Sequence, residues 1–465
     1  MTDTIAAVAT PKGAGGIAVI RISGGSAFEI GGKIFKPKNK NLTFGEIAPN
    51  TAVFGDITDT EKSIDEGIAV KFASPKSYTG EDTVEISCHG GVYIAAAVLE
   101  AAVRAGARPA LPGEFTKTAY LNGKISLTGA EAVGRLIFAS GKTGAKLAHM
   151  QAQGALSKKI GAISDKIKDI ISEVYVCIDY PGEDLSDMSP EAMLEKLHVI
   201  KRELESLKDT YSVGRFIFDG INCAIIGKPN AGKSTLINLL SRSDAAIVHE
   251  TPGTTRDIVY SRANIGGFVL NLYDTAGIRD SKDEIENIGI KKAHEKIGAC
   301  NLIIGVFDAG AEFGAEDLNI LEILKEERKA GKKTIAILNK CDLGVKCKKA
   351  AEPENPLMIS AKCDTVFNSA VSAFDAFGEL LDTLYSLEKY DLDSGEILTE
   401  ERQYFEICAA CANIESAISA LTGGFPQDAA GLDLEYAARN LDRCDAAAVS
   451  EDIVERIFKN FCVGK

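Results

Sequence analysis

Gly227-Lys228-Pro229-Asn230-Ala231-Gly232-Lys233-Ser234 follows the apolar run Cys223-Ala224-Ile225-Ile226 and precedes a helical pattern of Leu236, Ile237, Leu239 and Leu240. Glycine at the first and sixth positions lets backbone N–H groups approach phosphate oxygens. The Lys233 ammonium can neutralise terminal phosphates, and the Ser234 hydroxyl offers a ligand to magnesium. A strand, a glycine-rich turn and a helix in that order predict a phosphate-binding loop at the edge of an α/β sheet. Its nucleotide contacts are expected from Asn230, Ala231, Gly232, Lys233, Ser234 and Thr235.

Three further elements follow in the order that a GTP site requires. Asp274-Thr275-Ala276-Gly277 ends the strand pattern Leu270–Tyr273, which places a carboxylate where it can hold magnesium through water and a Gly277 N–H where it can meet a γ-phosphate. Asn339-Lys340-Cys341-Asp342 follows Thr334–Leu338. Guanine presents a ring N–H and an exocyclic amine on one edge, so the Asp342 carboxylate can accept both, whereas adenine lacks that donor pair. GTP is therefore expected over ATP. Ser360-Ala361-Lys362, after Leu357-Met358-Ile359, supplies a backbone N–H for the guanine carbonyl.

Between the first helix and the Asp274 strand lies His249-Glu250-Thr251-Pro252-Gly253-Thr254-Thr255-Arg256-Asp257, in the position of a switch loop. A threonine there, Thr255, can add a second magnesium ligand. The residue after Gly277 is Ile278, so the glutamine that positions water in Ras-like sites is missing. The acidic run Asp280, Asp283, Glu284 and Glu286 could supply a replacement, although such runs are commonly solvated faces.

Outward from this core, 465 residues allow about three domains at ~100 to 200 residues each. With 45% hydrophobic and 25% charged residues, the chain is neither disordered nor collagenous. No apolar run approaches the ~18 residues of a membrane span, and Met1-Thr2-Asp3-Thr4 does not open a basic segment followed by an apolar one, so a cytoplasmic address without membrane contact is expected. The net charge of −14 is uneven: residues 383–465 hold 7 basic against 16 acidic side chains. No segment announces nucleic acid by charge alone, so an RNA partner requires a local patch or a shared complex. The eleven cysteines are unevenly spaced and read as reduced, mostly packed thiols, with Cys408-x-x-Cys411 expected among the packed ones.

Residues 1–124 mix strand patterns (Ile17, Val19, Arg21; Thr83–Ser87) with helical ones and predict a compact α+β unit. Thr128 and Glu131 fit a capping box that opens a long helical tract. Its apolar stripe runs through Leu156, Ile160, Ile163, Ile167, Ile170, Val174 and Ile178, and a second stripe through Leu194, Leu197, Ile200, Leu204 and Leu207. Residues 217–382 alternate strands with helices. After 383 the pattern is helical again, closing with Ile453, Val454, Ile457, Phe458 and Phe461. The expected fold is a multidomain chain of α/β and α+β classes: an N-terminal α+β domain (1–124), a discontinuous helical domain (125–216 with 383–465) and an inserted Ras-like P-loop domain (217–382).

The P-loop, Pro252–Asp257, Asp274–Gly277, the two-part helical frame and the terminal Phe461-Cys462-Val463-Gly464-Lys465 together resemble the MnmE (TrmE) family of tRNA-modification GTPases. So do Ser77-Tyr78-Thr79-Gly80-Glu81-Asp82, His89-Gly90-Gly91 and Pro112-Gly113-Glu114-Phe115-Thr116. The resemblance spans the whole chain. It implies a potassium-dependent, homodimeric GTP hydrolase working with a FAD-dependent subunit of the MnmG (GidA) type. The implied product is an aminomethyl or carboxymethylaminomethyl group on carbon 5 of the wobble uridine of certain tRNAs, with 5-formyltetrahydrofolate or methylenetetrahydrofolate as the one-carbon carrier.

Carried over position by position, the resemblance implies folate contacts from Arg21, Glu85, Lys124 and Lys465. Potassium contacts are implied at Asn230 and at the backbone oxygens of His249, Thr251 and Thr254, and a water-orienting carboxylate at Glu286, acting beside Lys233. Cys462, four residues from the end, mimics a prenylation signal, but its flanks match this family, where it is expected near the modification chemistry. A regulatory or ribosome-assembly GTPase switch is the competing function. The N-terminal folate residues and the terminal Cys-x-Gly-Lys have no place in such a switch.

Overall fold

In this computed structural model the residues described are 3–59, 62–139, 141–179, 189–241, 261–265, 267–274, 298–346, 353, 355–385, 389–445, 451–459 and 461–464. The chain divides into two compact units. The first comprises Met1–Gly134, Ala152–Leu197 and Ala412–Lys465; the second comprises Arg135–Gln151 and His198–Cys411.

The first unit is built on β1 (Ile5–Val8), β2 (Ile17–Ser23), β3 (Phe35–Pro37), β4 (Ala52–Asp59), β5 (Lys62–Phe72), β6 (Thr83–His89) and β7 (Arg108–Pro109). They form one sheet in the order β3-β4-β5-β6-β2-β1-β7, antiparallel except for the β1–β7 pair. Period-two alternation sends Ala18, Ile20 and Ile22 of β2, with Val84, Ile86 and Cys88 of β6, into one core. Helices Ala27–Ile34 and Val92–Arg104 cover that face with Ile30, Ile34, Val98 and Ala102. The same alternation puts Arg21 and Glu85 on the opposite face, directly across from each other.

In the helical part, the single tract expected from Thr128 onward is three helices, Leu127–Phe138, Lys142–Ala152 and Ala155–Asp179. Gly154, at φ +87°, takes a left-handed turn between the last two. The helix begins at Leu127, so its N-cap is Ser126 rather than Thr128. Ser126 Oγ accepts the Gly129 N–H at 3.1 Å, and Thr128 instead lies inside the helix, where its hydroxyl and Ser157 meet Asp445 of the helix Gln427–Asp445. Leu156, Ile160, Ile163, Ile167, Ile170 and Val174 are buried as their spacing predicts, while Ile178 is half exposed. In helix Pro190–Asp209 the buried face includes Met193 rather than Leu194. The last helix, Glu451–Phe458, stops before Phe461, which packs beside Phe458 from a turn.

The second unit holds β8 (Ile221–Ile226), β9 (Ser261–Ile265), β10 (Phe268–Asp274), β11 (Leu302–Asp308), β12 (Lys333–Asn339), β13 (Leu357–Ser360) and β14 (Thr365–Val366). The order is β14-β13-β12-β11-β8-β10-β9, parallel through β13-β12-β11-β8-β10 and antiparallel at both edges. Helices Lys233–Leu240 and Ala373–Tyr385 pack on one face through Leu236, Leu240, Phe377 and Leu381, and Ala315–Lys329 packs on the other through Ile320 and Leu324. The α/β pattern is thus the expected one. The antiparallel β9 went unseen because Ser261-Arg262-Ala263-Asn264-Ile265 has too few apolar residues to stand out from a loop. Among the described residues no helix is long and apolar enough to cross a membrane.

Candidate functional site

From β8 the chain passes to β10 on one side and to β11 on the other, so the carboxyl end of β8 is where the strand order reverses. Ligands of open α/β sheets bind at such a point. Residues 227–232 leave β8 there, and Lys233 begins the helix whose N-terminal N–H groups face outward. Two of the glycines are required by space. A Cβ on Gly227 would lie 2.6 Å from the Val306 carbonyl oxygen, and one on Gly232, at φ +96°, would lie 2.2 Å from Asn339 Nδ2. Asn230, at φ +63°, is exposed at the loop tip. Lys233 is buried, its Nζ donating to the Gly227 and Lys228 carbonyls, both at 2.9 Å. Ser234 and Thr235 are exposed in the first helical turn, and Ala231 is buried beneath the loop.

The base-recognition motifs close on the same loop. Asn339, the last residue of β12, donates from Nδ2 to the Ala231 carbonyl at 3.1 Å and accepts the Ala361 N–H on Oδ1 at 2.9 Å. One buried amide thereby ties the phosphate loop, the Asn-Lys-x-Asp turn and the Ser360–Lys362 loop together. Lys340 has φ +66° and pairs with Asp308 at 2.7 Å. Asp342 follows, exposed, on the one-turn helix Cys341–Leu343, in which Cys341 is buried. Ser360 is buried, with its Oγ accepting the Cys363 N–H at 3.3 Å, while Lys362 is exposed. Asp274 ends β10 opposite Ile225 of β8, which brings its backbone to the phosphate-loop end of the sheet.

Thr275, Ala276, Gly277 and Glu286 lie outside the described residues. So do His249, Glu250, Thr251, Pro252, Gly253, Thr254, Thr255 and the terminal Lys465. Sequence reasoning passed over Lys228, whose Nζ meets Asp317 at 2.9 Å, and passed over Asp308. A signal for Asp317 was present, since it stands three residues after Gly314 at the third position of a helix, where carboxylates accept free N–H groups.

A second cluster sits on the far face of β2 and β6. Arg21 Nε donates to Glu85 Oε1 at 2.8 Å, and Arg21 Nη1 reaches the Gly464 carbonyl at 3.5 Å. The guanidinium lies over the Tyr78 ring at 5.3 Å and the Phe115 ring at 5.5 Å. Tyr78 shares a 2.9 Å hydrogen bond with Thr116, and burial raises its pKa, opposed by that bond and by the Arg21 charge. Lys124 Nζ donates to the Pro75 carbonyl at 2.9 Å, on the loop that also carries Tyr78. Gly464, at φ +99°, lies against β1 so closely that a Cβ would stand 2.4 Å from the Val8 carbonyl oxygen. Cys462 is exposed, and its carbonyl accepts the Gly113 N–H at 3.3 Å. The rings of Tyr78 and Phe115 are members of this cluster that the sequence placed only within motifs.

The motif around Phe115 is explained by position. Glu114 accepts the Leu111 N–H at 2.7 Å and pairs with Arg108 at 2.6 Å, starting the helix Glu114–Leu121. Its desolvation is outweighed by those partners, and its pKa falls below the usual carboxylate value. Phe115 is thereby fixed under Arg21.

Comparison with known proteins agrees with this organisation. Residues 4–124 match the family description "GTP-binding protein TrmE N-terminus", and residues 127–462 match the "MnmE helical domain". The tRNA modification GTPases MnmE of Acetivibrio thermocellus and Clostridioides difficile are each 38% identical, and that of Thermoanaerobacter sp. is 39% identical. In all three the alignment covers 100% of this chain and 99% of the relative. The FeoB G-domain of Methanococcus jannaschii aligns with 36% of this chain and 98% of its own, at 19% identity and a TM-score of 0.24, a likeness too slight to carry weight. Full-length identity, two successive family matches and a P-loop at the sheet's switch point agree: this chain belongs to the MnmE (TrmE) family of tRNA-modification GTPases.

Proposed function

We propose that the chain binds and hydrolyses GTP as part of tRNA modification, with guanine chosen by Asp342. The observation that carries this is Asn339, which bridges Ala231 and Ala361 and so ties the phosphate and base loops to each other. Lys233 would serve the terminal phosphates, Ser234 and Thr255 would hold magnesium, and residues 230–235, 249–255, 274–277, 339, 340, 342 and 360–362 would contact the nucleotide. The residues fit a magnesium-bound nucleotide: an exposed serine hydroxyl sits at the N-terminus of a helix directly after the loop. Magnesium neutralises developing phosphate charge. Equilibrium binding of a fluorescent GTP analogue, competed by GTP and by ATP, tests the assignment, and competition by both alike would refute it.

Finer parts of the proposal follow the family. Potassium would be held by Asn230 and by the backbone of His249, Thr251 and Thr254, stimulating hydrolysis beside the phosphates. Glu286 would orient water in place of the glutamine absent at Ile278. A tetrahydrofolate would be held by Arg21, Glu85, Lys124 and Lys465. The fit is chemical: a guanidinium and a carboxylate lie on one sheet face with two aromatic rings, and a folate brings carboxylates, a hydrogen-bonding pterin edge and a flat ring. When bound, the folate supplies the one-carbon unit. Cys462 would lie near that chemistry.

In this proposal residues 1–124 bind folate and form the homodimer, 125–216 and 383–465 make one helical domain, and 217–382 is the GTPase domain. The chain works in the cytoplasm with a FAD-dependent MnmG (GidA)-type subunit on the wobble uridine. A regulatory switch is disfavoured by the Arg21 cluster, which a switch would not need. Binding of 5-formyltetrahydrofolate by the wild type and its loss in Arg21→Ala would separate the two.

A further inference from the structure

Residues 308–317 join β11 to the helix Ala315–Lys329 and contain none of the nucleotide motifs. Yet the carboxylates at both ends of this segment engage lysines that belong to those motifs. Asp308 Oδ2 accepts Lys340 of the base-recognition turn at 2.7 Å, while its Oδ1 accepts the Gly310 N–H at 2.9 Å. Asp317 Oδ2 accepts Lys228 of the phosphate loop at 2.9 Å and the Gly314 N–H at 3.0 Å. Asp317 is 1% exposed and, among the described residues, its other oxygen is buried without a hydrogen bond and Lys228 is the charge paired with it. Between the two pairs, the Ala309 N–H donates to the Asn339 carbonyl at 2.9 Å.

We propose that this segment is a brace that fixes the phosphate loop against the base-recognition turn, and that Asp317 and Lys228 are positioning residues for nucleotide binding. The Lys228 side chain is held by Asp317 while its backbone carbonyl receives the Lys233 ammonium at 2.9 Å. Fixing Lys228 therefore fixes one of the two carbonyls that aim Lys233. The Asp308–Lys340 pair does the same for the turn that carries Asp342. Preorganisation of this kind acts on ground state and transition state alike, so it appears in affinity rather than in turnover. The proposal rests on the GTP assignment above and deepens it.

The test is binding of fluorescent GDP and GTP analogues to the full chain, with kcat at saturating GTP and melting temperature measured alongside. Asp317→Asn and Lys228→Met should each raise Kd by about tenfold, with kcat kept within about threefold. The double variant should lose no more than either single one, because one interaction is being removed twice. Lys228→Arg should stay near wild type. If Lys228 instead touched phosphate directly, Asp317→Asn would release it and leave Kd unchanged or lower, and that result overturns the brace. Additive losses overturn it, as do wild-type Kd values with lowered melting temperatures. Should Asp317→Asn fail to fold, Lys228→Met decides alone, since Lys228 is partly exposed whereas Asp317 is buried: wild-type affinity there refutes the brace. A wild type that binds neither analogue overturns both the brace and the GTP assignment, whereas a binding wild type with unaffected variants overturns the brace only.

Discussion

Asp342 stands exposed on its turn after β12, where a carboxylate can face two guanine donors at once. Asp342→Asn turns one acceptor into a donor opposite the guanine amine. It should weaken GTP roughly ten- to a hundredfold, the loss of a hydrogen bond to a charged group, and improve binding of xanthosine triphosphate, whose carbonyl now meets a donor. Competition titrations of the two nucleotides check this, and equal GTP affinity in variant and wild type would remove Asp342 from base recognition. Glu286 belongs to the same scale. Glu286→Ala should bind GTP nearly normally and hydrolyse it about a hundredfold more slowly in single turnover, as expected for a lost positioned base. A rate within about threefold of wild type would return Glu286 to a solvated acidic face. Single residues were legible in the sequence where chemistry forces identity, as at Gly232, whose neighbour Asn339 leaves no space for a Cβ. Lys228–Asp317 was not legible, because an ion pair 89 positions apart in sequence leaves no local pattern.

At the level of elements, period-two alternation explains the second cluster. It buries Ile20, Ile22, Val84 and Ile86 against two helices and leaves Arg21 and Glu85 facing away, matched by the β2–β6 register. That alternation was readable, whereas the partner rings of Tyr78 and Phe115 and the approach of Gly464 arise from tertiary packing. Capping differs for a related reason: Ser126 and Thr128 both suit a helix start, and Ser126 takes it while the Thr128 hydroxyl makes a part-buried contact with Asp445. Gly464→Val places a branched side chain where φ is +99° and the Val8 carbonyl lies within 2.4 Å of the new Cβ. The terminal segment should leave Arg21, and affinity for 5-formyltetrahydrofolate should fall about tenfold or more, while GTP turnover stays unchanged. Calorimetry with the folate gives the answer, and an unaltered Kd would detach the C-terminus from that site.

On the scale of the whole molecule, the parallel strand runs of the second unit and the alternating runs of the first were both visible, since burial on one or two faces writes itself into residue order. The edge strands β9 and β14 were not, because half-solvated edges carry little apolar signal. In both chemical clusters strand residues, Arg21 and Glu85 in one and Asn339 in the other, anchor the loops that carry the remaining members, which favours precise placement. The proposed dependence on a monovalent cation is tested at this scale. Hydrolysis should run faster in potassium than in sodium, and Asn230→Ala should abolish the difference while largely, though not fully, keeping nucleotide affinity; equal wild-type rates in the two salts would speak against potassium. The central claim is hydrolysis of GTP at a site selective for guanine. Phosphate release by the full chain, with GTP or ATP at equal concentration in magnesium and potassium, tests it most directly: the account predicts sustained turnover of GTP and turnover of ATP lower by about a hundredfold or more, whereas equal rates, or no release from GTP, would contradict it.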